Sequence, residues 1–440
     1  MRRVLCAVLL CCCLVCPARA ETVIRYWVND RHDADFMTSV IDQFNAENTS
    51  GIRVEMRIIP SDFERQVSLA YYSGSAPDII GQSITLRTFA ENGMLLPLND
   101  FIDADEDYLR VNEPYDHAIE NLNALNGQLY WVPSGTRSGV RVIYNKDLLE
   151  RCGETEIPAT LSDFIDLAGR ITSLGAGKFW GIGFTSDSPF ERLLEMCAQV
   201  SGIYYYDYTN GRFDFSGYAP VLEEGRRFFT ENIAYPESLS VDNMRSLFTQ
   251  GMFALWGNAS QEAAVFTRQL PIEDFEWGVA PVPSLTGEIQ GALQLTYTKG
   301  YAILSSTAHP DAAWEVIRYL QSEEVLKNYL EQGYCLPLSS CMASAVDSAE
   351  TGRLADFALL PYESVYPAVP EIDLSGASYR EVFWQAVTGE IGIEEAIADL
   401  NQRYNAALDA DLTAGSVRRL IIPDYDPMDP DGGTPEYLSE

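Results

Sequence analysis

The stretch VIRYWV occupies residues 23–28, IRVEMRII occupies residues 52–59, and DII occupies residues 78–80. Alternating or wholly apolar side chains in such short runs predict three β-strands. Between them, residues 34–48 and the segment that begins at Asp62 carry apolar side chains at helical spacing, which predicts two α-helices. The order β-α-β-α-β requires crossover connections and therefore predicts a parallel sheet in an α/β fold.

A second region of the same kind follows the turn signal Asn126-Gly127. Residues 128–133 and 140–145 are strand-like, and they flank the segment SGTRSG at residues 134–139, where we predict a hinge. Strands and helices then alternate again, and the last third of the chain is mostly helical. Because 440 residues exceed the usual size of one domain, we expect two lobes.

The first twenty residues differ from the rest of the chain. Arg2 and Arg3 precede an apolar run at residues 4–15, and the segment ends in the small-residue pattern Ala18-Arg19-Ala20. This pattern predicts a secretory signal peptide, residues 1–20, that is cleaved after Ala20. The apolar run is shorter than the roughly 20 residues that span a bilayer.

Export places the mature protein outside the cytoplasm, in the periplasm or at the outer face of the cytoplasmic membrane. Lipidation of Cys13 or Cys16 is the alternative to cleavage after Ala20, and it would add a lipid anchor. The residues before either cysteine fit a lipoprotein cleavage box poorly.

The chain is strongly acidic, with 64 acidic and 30 basic residues and a net charge of −34. Cleavage after Ala20 removes three arginines and no acids, which leaves −37. Such a charge opposes binding to nucleic acid or to anionic lipid. It does not identify a ligand.

Metal and cofactor sites are not indicated. The closest approach to a calcium loop, DPMDPDGG at residues 426–433, has the prolines of a solvated tail. The three histidines, His32, His117 and His309, are scattered. Four cysteines remain in the mature chain, of which Cys335 and Cys341, six residues apart, are the candidate disulfide pair in an exported protein.

Four passages occur in order between residues 73 and 396: SGSAPDII at 73–80, VIYNKDLL at 142–149 with IPAT at 157–160, GYAI at 300–303 with HPDAAW at 309–314, and VTGE at 387–390 with IEEA at 393–396. Together they resemble the family 1 extracellular solute-binding proteins of bacterial ABC importers, which include maltose-binding protein. Each motif alone is weak, but four in this order are specific.

The resemblance implies a two-lobed periplasmic-binding-protein fold that closes over a ligand in the cleft between the lobes. It implies a membrane permease with its ATPase as partners, and binding without catalysis. We assign residues 21–135 plus about 295–340 to the N-terminal lobe and residues 136–294 plus about 341–422 to the C-terminal lobe. Residues 423–440 are predicted to form an acidic, disordered tail, and we expect a monomer.

The ligand side chains are predicted from the chemistry of a sugar, which has apolar ring faces and a rim of hydroxyls. It needs aromatic rings for stacking and planar polar groups for hydrogen bonds, placed where strand ends face the cleft. The candidates are Trp27, Asp78, Trp131, Arg137, Trp256, Asn258, Tyr297 and Trp384. A core position is the alternative for Trp27, helix capping or pairing with an arginine for Asp78, and a structural salt bridge for Arg137; Trp384 stays open.

Two other functions remain. The solute could be a polyamine, a peptide or a glycerol phosphodiester; an anionic ligand would need an arginine cluster, for which Arg137 with Arg141 is the one hint. A secreted glycoside hydrolase needs two carboxylates about the scissile bond, which an acid-rich chain always offers. The irregular βα pattern argues against a TIM barrel, and no Gly-x-Ser-x-Gly motif indicates an esterase.

Overall fold

The computed structural model describes residues 21–31, 33–81, 87–346 and 352–439. The predicted signal peptide and its cysteines lie outside these residues. In these ranges, no helix is both long enough and apolar enough to cross a membrane.

Strands and helices alternate along most of the chain. The strands are β1 (Thr22–Val28), β2 (Ile52–Ile58), β3 (Ile79–Ile80), β4 (Ala124–Leu125), β5 (Gln128–Leu129), β6 (Val132–Pro133), β7 (Thr136–Arg137), β8 (Arg141–Asn145), β9 (Trp180–Ile182), β10 (Tyr206–Asp207), β11 (Arg212–Phe213), β12 (Phe253–Asn258), β13 (Trp277–Pro281), β14 (Leu293–Gln294), β15 (Thr296–Tyr297), β16 (Gly300–Ile303), β17 (Glu363–Ser364), β18 (Arg419–Ile421) and β19 (Glu436–Leu438). The helices are α1 (Ala34–Glu47), α2 (Phe63–Tyr72), α3 (Asn99–Asp103), α4 (Glu106–Asn112), α5 (Lys146–Arg151), α6 (Leu161–Gly175), α7 (Leu194–Val200), α8 (Ala219–Thr230), α9 (Val241–Thr249), α10 (Glu262–Ala264), α11 (Pro310–Leu320), α12 (Glu323–Glu331), α13 (Ser340–Ala345), α14 (Tyr379–Thr388) and α15 (Ile393–Ala414).

The N-terminal lobe is built on a sheet of order β2-β1-β3-β16-β6. β1 pairs in parallel with β2 and β3, as the β-α-β-α-β pattern predicts, whereas β16 runs antiparallel to β3 and β6. α1 turns Phe36, Val40 and Phe44, three residues of one helical face, into the core beneath the sheet. The returning helices α11 and α12 complete that core.

The C-terminal lobe has its own sheet, of order β13-β8-β12-β9, and its own core. β8 is antiparallel to both β12 and β13, and β9 is parallel to β12. Helix α6 packs on this sheet, and α8, α14 and α15 pack on α6 and on one another through apolar faces that include Phe164, Phe228 and Phe383. Two sheets, each covered by apolar clusters of its own lobe, give the predicted two-lobed α/β architecture.

The lobes are joined by crossings that hydrogen-bond to one another. β7 pairs with β15, and the backbone of Thr136 exchanges hydrogen bonds with that of Leu336. Gly135 permits this approach, because a Cβ there would lie 2.4 Å from Cys335 Sγ and 2.8 Å from the Leu336 carbonyl oxygen. The predicted hinge segment, residues 134–139, is therefore one of the connections between the lobes.

The boundary near residue 341 lies later than predicted. α13 packs on α4 and α12, and its Met342 is buried in the core of the N-terminal lobe. The chain reaches the C-terminal lobe with Leu354 and Phe357, which are buried beside Trp277.

The prediction of a disordered tail is wrong for residues 423–439. β19 pairs with β18, the ring of Tyr425 stacks on Tyr208 at 4.5 Å, and the Pro427 carbonyl oxygen accepts hydrogen bonds from Tyr204 Oη at 3.1 Å and from Ala292 N at 2.7 Å. These aromatic anchors and backbone bonds outweigh the acidic, proline-rich composition on which the prediction rested.

The predicted Cys335–Cys341 disulfide is also absent. Cys152, Cys197, Cys335 and Cys341 are free thiols. Cys335 is buried under the hinge beside Gly135, whereas Cys341 lies on α13 with its Sγ 3.6 Å from Arg110 Nη1. The start of α13 carries the second cysteine away from the first.

Candidate functional site: the cleft between the lobes

A cleft of about 750 Å³ lies between the two lobes. The residues that line it come from the N-terminal lobe, the hinge and the C-terminal lobe: Asn29, Asp30, Arg31, Ala34, Asp35, Pro60, Arg137, Asp242, Arg245, Gln261, Ala264, Val265, Arg268, Gln269, Gly333 and Tyr334. A depression of about 650 Å³ on the outer side of the N-terminal lobe involves neither the hinge nor the second lobe. The interlobe cleft presents the hinge and residues of both lobes to one space, and it is therefore the candidate site.

On the N-terminal side, the cleft is formed by the loop between β1 and α1, which carries Asn29, Asp30 and Arg31. Asp33, just before α1, is buried, forms an ion pair with buried Lys299 at the start of β16, and accepts a hydrogen bond from Tyr329 Oη at 2.8 Å. This anchor ties the beginning of α1 to the crossing strand and fixes the loop at the cleft edge.

On the C-terminal side, β12 ends at Asn258, whose side chain organises the residues that follow. Asn258 Oδ1 accepts hydrogen bonds from Arg192 Nη1 and from Gln261 Nε2, both at 2.9 Å, and Asn258 Nδ2 donates to Glu262 Oε1 at 2.9 Å. Gln261 is thereby positioned with its amide toward the cleft that it lines.

Glu262 and Arg245 form the charged part of this network. Arg245 Nη2 lies 2.7 Å from Glu262 Oε1, Arg245 Nε lies 3.0 Å from Glu262 Oε2, and Arg245 Nη1 lies 3.0 Å from Asp242 Oδ1. Burial raises the pKa of the Glu262 carboxyl, and the hydrogen bonds from Arg245 oppose that rise. The positive charge of Arg245 is therefore balanced by carboxylates of its own lobe.

Several polar atoms at the cleft are buried and have no hydrogen-bond partner among the described residues. They include Asn29 Oδ1 from the N-terminal lobe, Gln261 Oε1 from the C-terminal lobe and Arg137 Nε from the hinge. A buried polar atom left without a partner costs about 1–3 kcal/mol. Three such atoms on one cleft are suited to a ligand that supplies the missing partners.

Tyr334 is the cleft's aromatic side chain, judged from the lining residues that the structure describes. Its ring stacks on Tyr329 with the centroids 5.0 Å apart and is tilted against Phe36 at 5.5 Å. Burial raises the pKa of Tyr334. The ring that lines the cleft is therefore packed against aromatic side chains of the N-terminal lobe.

The model of the family described as bacterial extracellular solute-binding protein matches residues 30–327. The chain belongs to this family. As an extracellular solute-binding protein it acts outside the cytoplasm, and the predicted family resemblance and fold class are confirmed.

Known proteins of similar sequence and structure include other binding proteins. A putative binding protein of Brucella abortus is 24% identical over 344 residues, which cover 76% of this chain and 80% of the relative. The sugar-binding protein MalE of Xanthomonas citri superposes with a TM-score of 0.66 at 19% identity, over 90% of this chain and 99% of that chain. An ABC substrate-binding protein of Listeria monocytogenes in complex with cycloalternan gives a TM-score of 0.70 at 20% identity, over 88% and 99% of the two chains.

Of the eight residues predicted to bind the ligand, the solute-binding protein places Arg137 in the lining of the cleft. The alternative of a structural salt bridge for Arg137 finds no support in the described residues, because no carboxylate lies within 4.0 Å of its guanidinium. Asn258 lies one layer behind the lining and is 1% exposed.

Trp131 and Trp256 are core residues, each 1% exposed, and so neither offers a ring face to a ligand. Trp131 Nε1 donates to the Leu122 carbonyl oxygen at 2.9 Å, and Trp256 packs against Phe248 and Phe266. Trp256 lies inside β12, which continues to Asn258, and Trp131 lies between β5 and β6, so that neither ring is at a strand end that faces the cleft.

Asp78 forms structural bonds, which agrees with the alternative of pairing with an arginine. Asp78 Oδ2 accepts from Arg25 N at 2.8 Å, Asp78 Oδ1 accepts from Thr307 Oγ1 at 2.7 Å, and the side chain is buried beside the Arg25 guanidinium. These partners use both carboxylate oxygens.

The remaining three aromatic candidates lie off the described lining. Trp27 is half-buried beneath the Arg57 guanidinium, 5.1 Å from the ring centroid. Tyr297 Oη donates to the His117 carbonyl oxygen at 3.2 Å, and Trp384 packs between Phe184 and Phe229.

The sequence analysis missed Asn29, Arg31, Gln261, Arg268 and Tyr334. Asn29 and Arg31 could have been found, because they directly follow the predicted first strand, at the edge where ligand loops of α/β sheets gather. Gln261 lies directly before α10, Arg268 follows α10 and Tyr334 follows α12, and none of them carries a signal in one sequence. Only the approach of the lobes brings them together.

Proposed function

We propose that this protein is the substrate-binding subunit of an ABC importer that captures a sugar or oligosaccharide in the interlobe cleft. The observation that carries the proposal is a pair of buried amide oxygens, Asn29 Oδ1 and Gln261 Oε1, on opposite lobes of one cleft, for which the described residues supply no hydrogen-bond donor. Amide oxygens accept hydrogen bonds from hydroxyl groups. The named ligands of the similar structures, which include a cycloalternan, support a carbohydrate.

Capture proceeds by closure of the lobes. A ligand that satisfies Asn29 and Gln261 at once contacts both lobes, and so it stabilises the closed arrangement over the open one. The β7–β15 pairing and the Thr136–Leu336 backbone bonds are the connections about which the lobes rotate. A membrane permease with its ATPase then accepts the closed form and its solute.

The protein performs no covalent chemistry in this proposal. Asp242 and Glu262, the acids on the C-terminal side of the cleft, are both bonded to Arg245, whereas Asp30 and Asp35 line the N-terminal side. A general acid of a glycosidase must be free to protonate the leaving oxygen. Recovery of the bound sugar intact therefore belongs to the test.

The first experiment is thermal unfolding of residues 21–440 against mono- and oligosaccharides, polyamines and glycerol phosphodiesters. A ligand at one hundred times its dissociation constant adds about 2.7 kcal/mol of stability, which raises the melting temperature by a few degrees. A sugar that produces this shift and is recovered unchanged supports the proposal. A shift with a polyamine alone, or turnover of an oligosaccharide, contradicts it.

Variants then locate the site. Gln261→Ala removes the amide oxygen Gln261 Oε1. We expect it to weaken binding of the sugar about tenfold, since one hydrogen bond contributes roughly 1.4 kcal/mol. Gln250→Ala, on the exposed end of α9, is the matched control and should leave affinity unchanged. Scattering measurements should show a smaller radius of gyration with the sugar bound.

A lipid anchor remains the alternative to a cleaved, freely diffusing protein. Intact mass of the exported chain distinguishes the two, because cleavage after Ala20 leaves Glu21 at the N-terminus and lipidation leaves a modified cysteine.

A further inference from the structure

The cleft differs in charge from the chain that surrounds it. The protein carries a net charge of −34, whereas the lining of the cleft includes four arginines, Arg31, Arg137, Arg245 and Arg268, against three aspartates, Asp30, Asp35 and Asp242. Charges lining a cleft with low-dielectric walls determine which ions concentrate there. The clustering of arginines in an acidic protein therefore requires its own explanation.

Arg245 is accounted for by Glu262 and Asp242. No comparable partner is found for the other three within the described chain, where no carboxylate approaches Arg31, Arg137 or Arg268 to within 4.0 Å. Asp35, which lines the same cleft, is exposed in the first turn of α1. Three arginines are thus available to a ligand.

Of these three arginines, Arg137 gives the strongest indication of an anionic ligand. β7 pairs with β15 so that Arg137 lies opposite Thr296 in the crossing between the lobes. Its side chain is half-buried, and its Nε has no hydrogen-bond partner among the described residues. A partly buried cation without a counter-charge is costly, because desolvation is not repaid by an ion pair.

The guanidinium group matches an oxyanion in geometry as well as in charge. Its planar fork donates two parallel hydrogen bonds to a carboxylate, phosphate or sulfate. Arg31 from the N-terminal lobe and Arg268 from the C-terminal lobe line the same cleft as the hinge residue Arg137. An oxyanion between them contacts both lobes.

Resting on the proposed function, we propose that the captured sugar is acidic and that its oxyanion group is bound by Arg137 together with Arg31 and Arg268. The amide oxygens of Asn29 and Gln261 serve the neutral hydroxyls. This assigns the ligand to the uronates, sugar phosphates or sulfated sugars rather than to the neutral maltodextrins.

The test is titration calorimetry of residues 21–440 with trigalacturonate, glucose 6-phosphate and a sulfated disaccharide. The neutral matches are methyl-esterified trigalacturonate, glucose and the unsulfated disaccharide. We expect one acidic sugar to bind at least tenfold more tightly than its neutral match, since a charge-assisted hydrogen bond contributes about 1.5–3 kcal/mol. The other two arms identify which oxyanion is recognised.

Substitutions assign the effect to the arginines. Arg137→Gln should weaken binding of the acidic sugar at least tenfold and weaken binding of its neutral match by a much smaller factor. Arg31→Gln and Arg268→Gln, at exposed positions that tolerate substitution, should each weaken it several-fold and keep the test open if Arg137→Gln misfolds. Arg212→Gln, an exposed arginine away from the cleft, is the matched control.

The outcomes separate the two proposals. Tighter or equal binding of neutral sugars overturns the oxyanion site and leaves the sugar-binding function standing. Binding of an anion that is no sugar, such as glycerol 3-phosphate, with loss in Arg137→Gln, supports the oxyanion site and overturns the sugar. No binding by any member of the set contradicts both.

Discussion

Arg141 and Glu363 form a buried ion pair beside the hinge, with Arg141 Nη2 2.6 Å and Arg141 Nη1 3.0 Å from the two Glu363 carboxylate oxygens. Their side chains are 2% and 0% exposed. Glu363 lies in β17, which pairs with β14 just before the chain returns to the N-terminal lobe. The pair therefore fixes the position of that crossing, and Arg141 is committed to it.

Loss of one partner of this pair should be strongly destabilising. Glu363→Gln leaves the buried Arg141 guanidinium without a counter-charge, and we expect the free energy of unfolding to fall by about 3 kcal/mol. Urea denaturation followed by circular dichroism measures the change. Glu276→Gln, which breaks the exposed pair with Lys146 at 3.7 Å, is the control and should cost less than about 1 kcal/mol. Equal effects of the two substitutions would show that the buried pair is not structural.

Asn258 should act on both stability and binding. Asn258→Ala removes the partner of Arg192, Gln261 and Glu262, and we expect a loss of about 1–3 kcal/mol in unfolding free energy. It should also weaken ligand binding, because Gln261 loses the bond that orients it. Asn328→Ala, on the exposed face of α12, should change neither quantity. Unchanged affinity in Asn258→Ala would exclude this positioning role.

His117 should make the protein less stable as the pH falls. Burial lowers the pKa of His117 below the ordinary value of 6.5, and the nearby acids Asp116, Glu113 and Asp431 oppose this only in part. Below pH 6.5 the unfolded chain binds a proton that the folded state does not yet bind, and so stability is lost as the pH falls from 6.5 through the lowered pKa.

The comparison that isolates this effect is urea unfolding at pH 7.5 and at pH 5. His117→Gln should lose less stability on acidification than the wild type, whereas exposed His309→Gln should lose as much as the wild type. If His117→Gln and the wild type lose the same stability between pH 7.5 and pH 5, the burial of this imidazole has no energetic consequence.

Thiol reactivity should follow burial. Burial raises the pKa of the Cys335 thiol to about 12 and also raises that of Cys197, so that both resist a thiol reagent in the native state. We expect Cys152 and Cys341, which are partly exposed, to react first, and all four cysteines to react after denaturation. If only two thiols react in the denatured, unreduced protein, a disulfide is present, as the sequence predicted for Cys335 and Cys341.

Removal of the tail should destabilise the C-terminal lobe. A chain ending at Ile422 loses β19 and the stacking of Tyr425 on Tyr208, and its melting temperature should fall by several degrees. Removal of the last two residues alone is the control. An unchanged melting temperature would show that the ordered tail contributes nothing to stability.

The sequence by itself determined the α/β class, the two lobes and the hinge, because these depend on the period of apolar side chains and on turn residues, which are local properties. It also located the strand end from which Asn29 and Arg31 project. It failed for Trp131 and Trp256, because the depth of a side chain in or beside a strand depends on the elements that cover it.

Only the tertiary structure decided between Arg137 and Arg141, which lie four residues apart in similar surroundings. Glu363, far along the chain, pairs with Arg141 and buries it, while the pairing of β7 with β15 leaves Arg137 in the lining of the cleft. The reason is physical: whether a charge is structural or available to a ligand is set by the nearest opposite charge in space. The positions of Arg137 and Arg141 in the sequence do not show which opposite charge will be nearest to each.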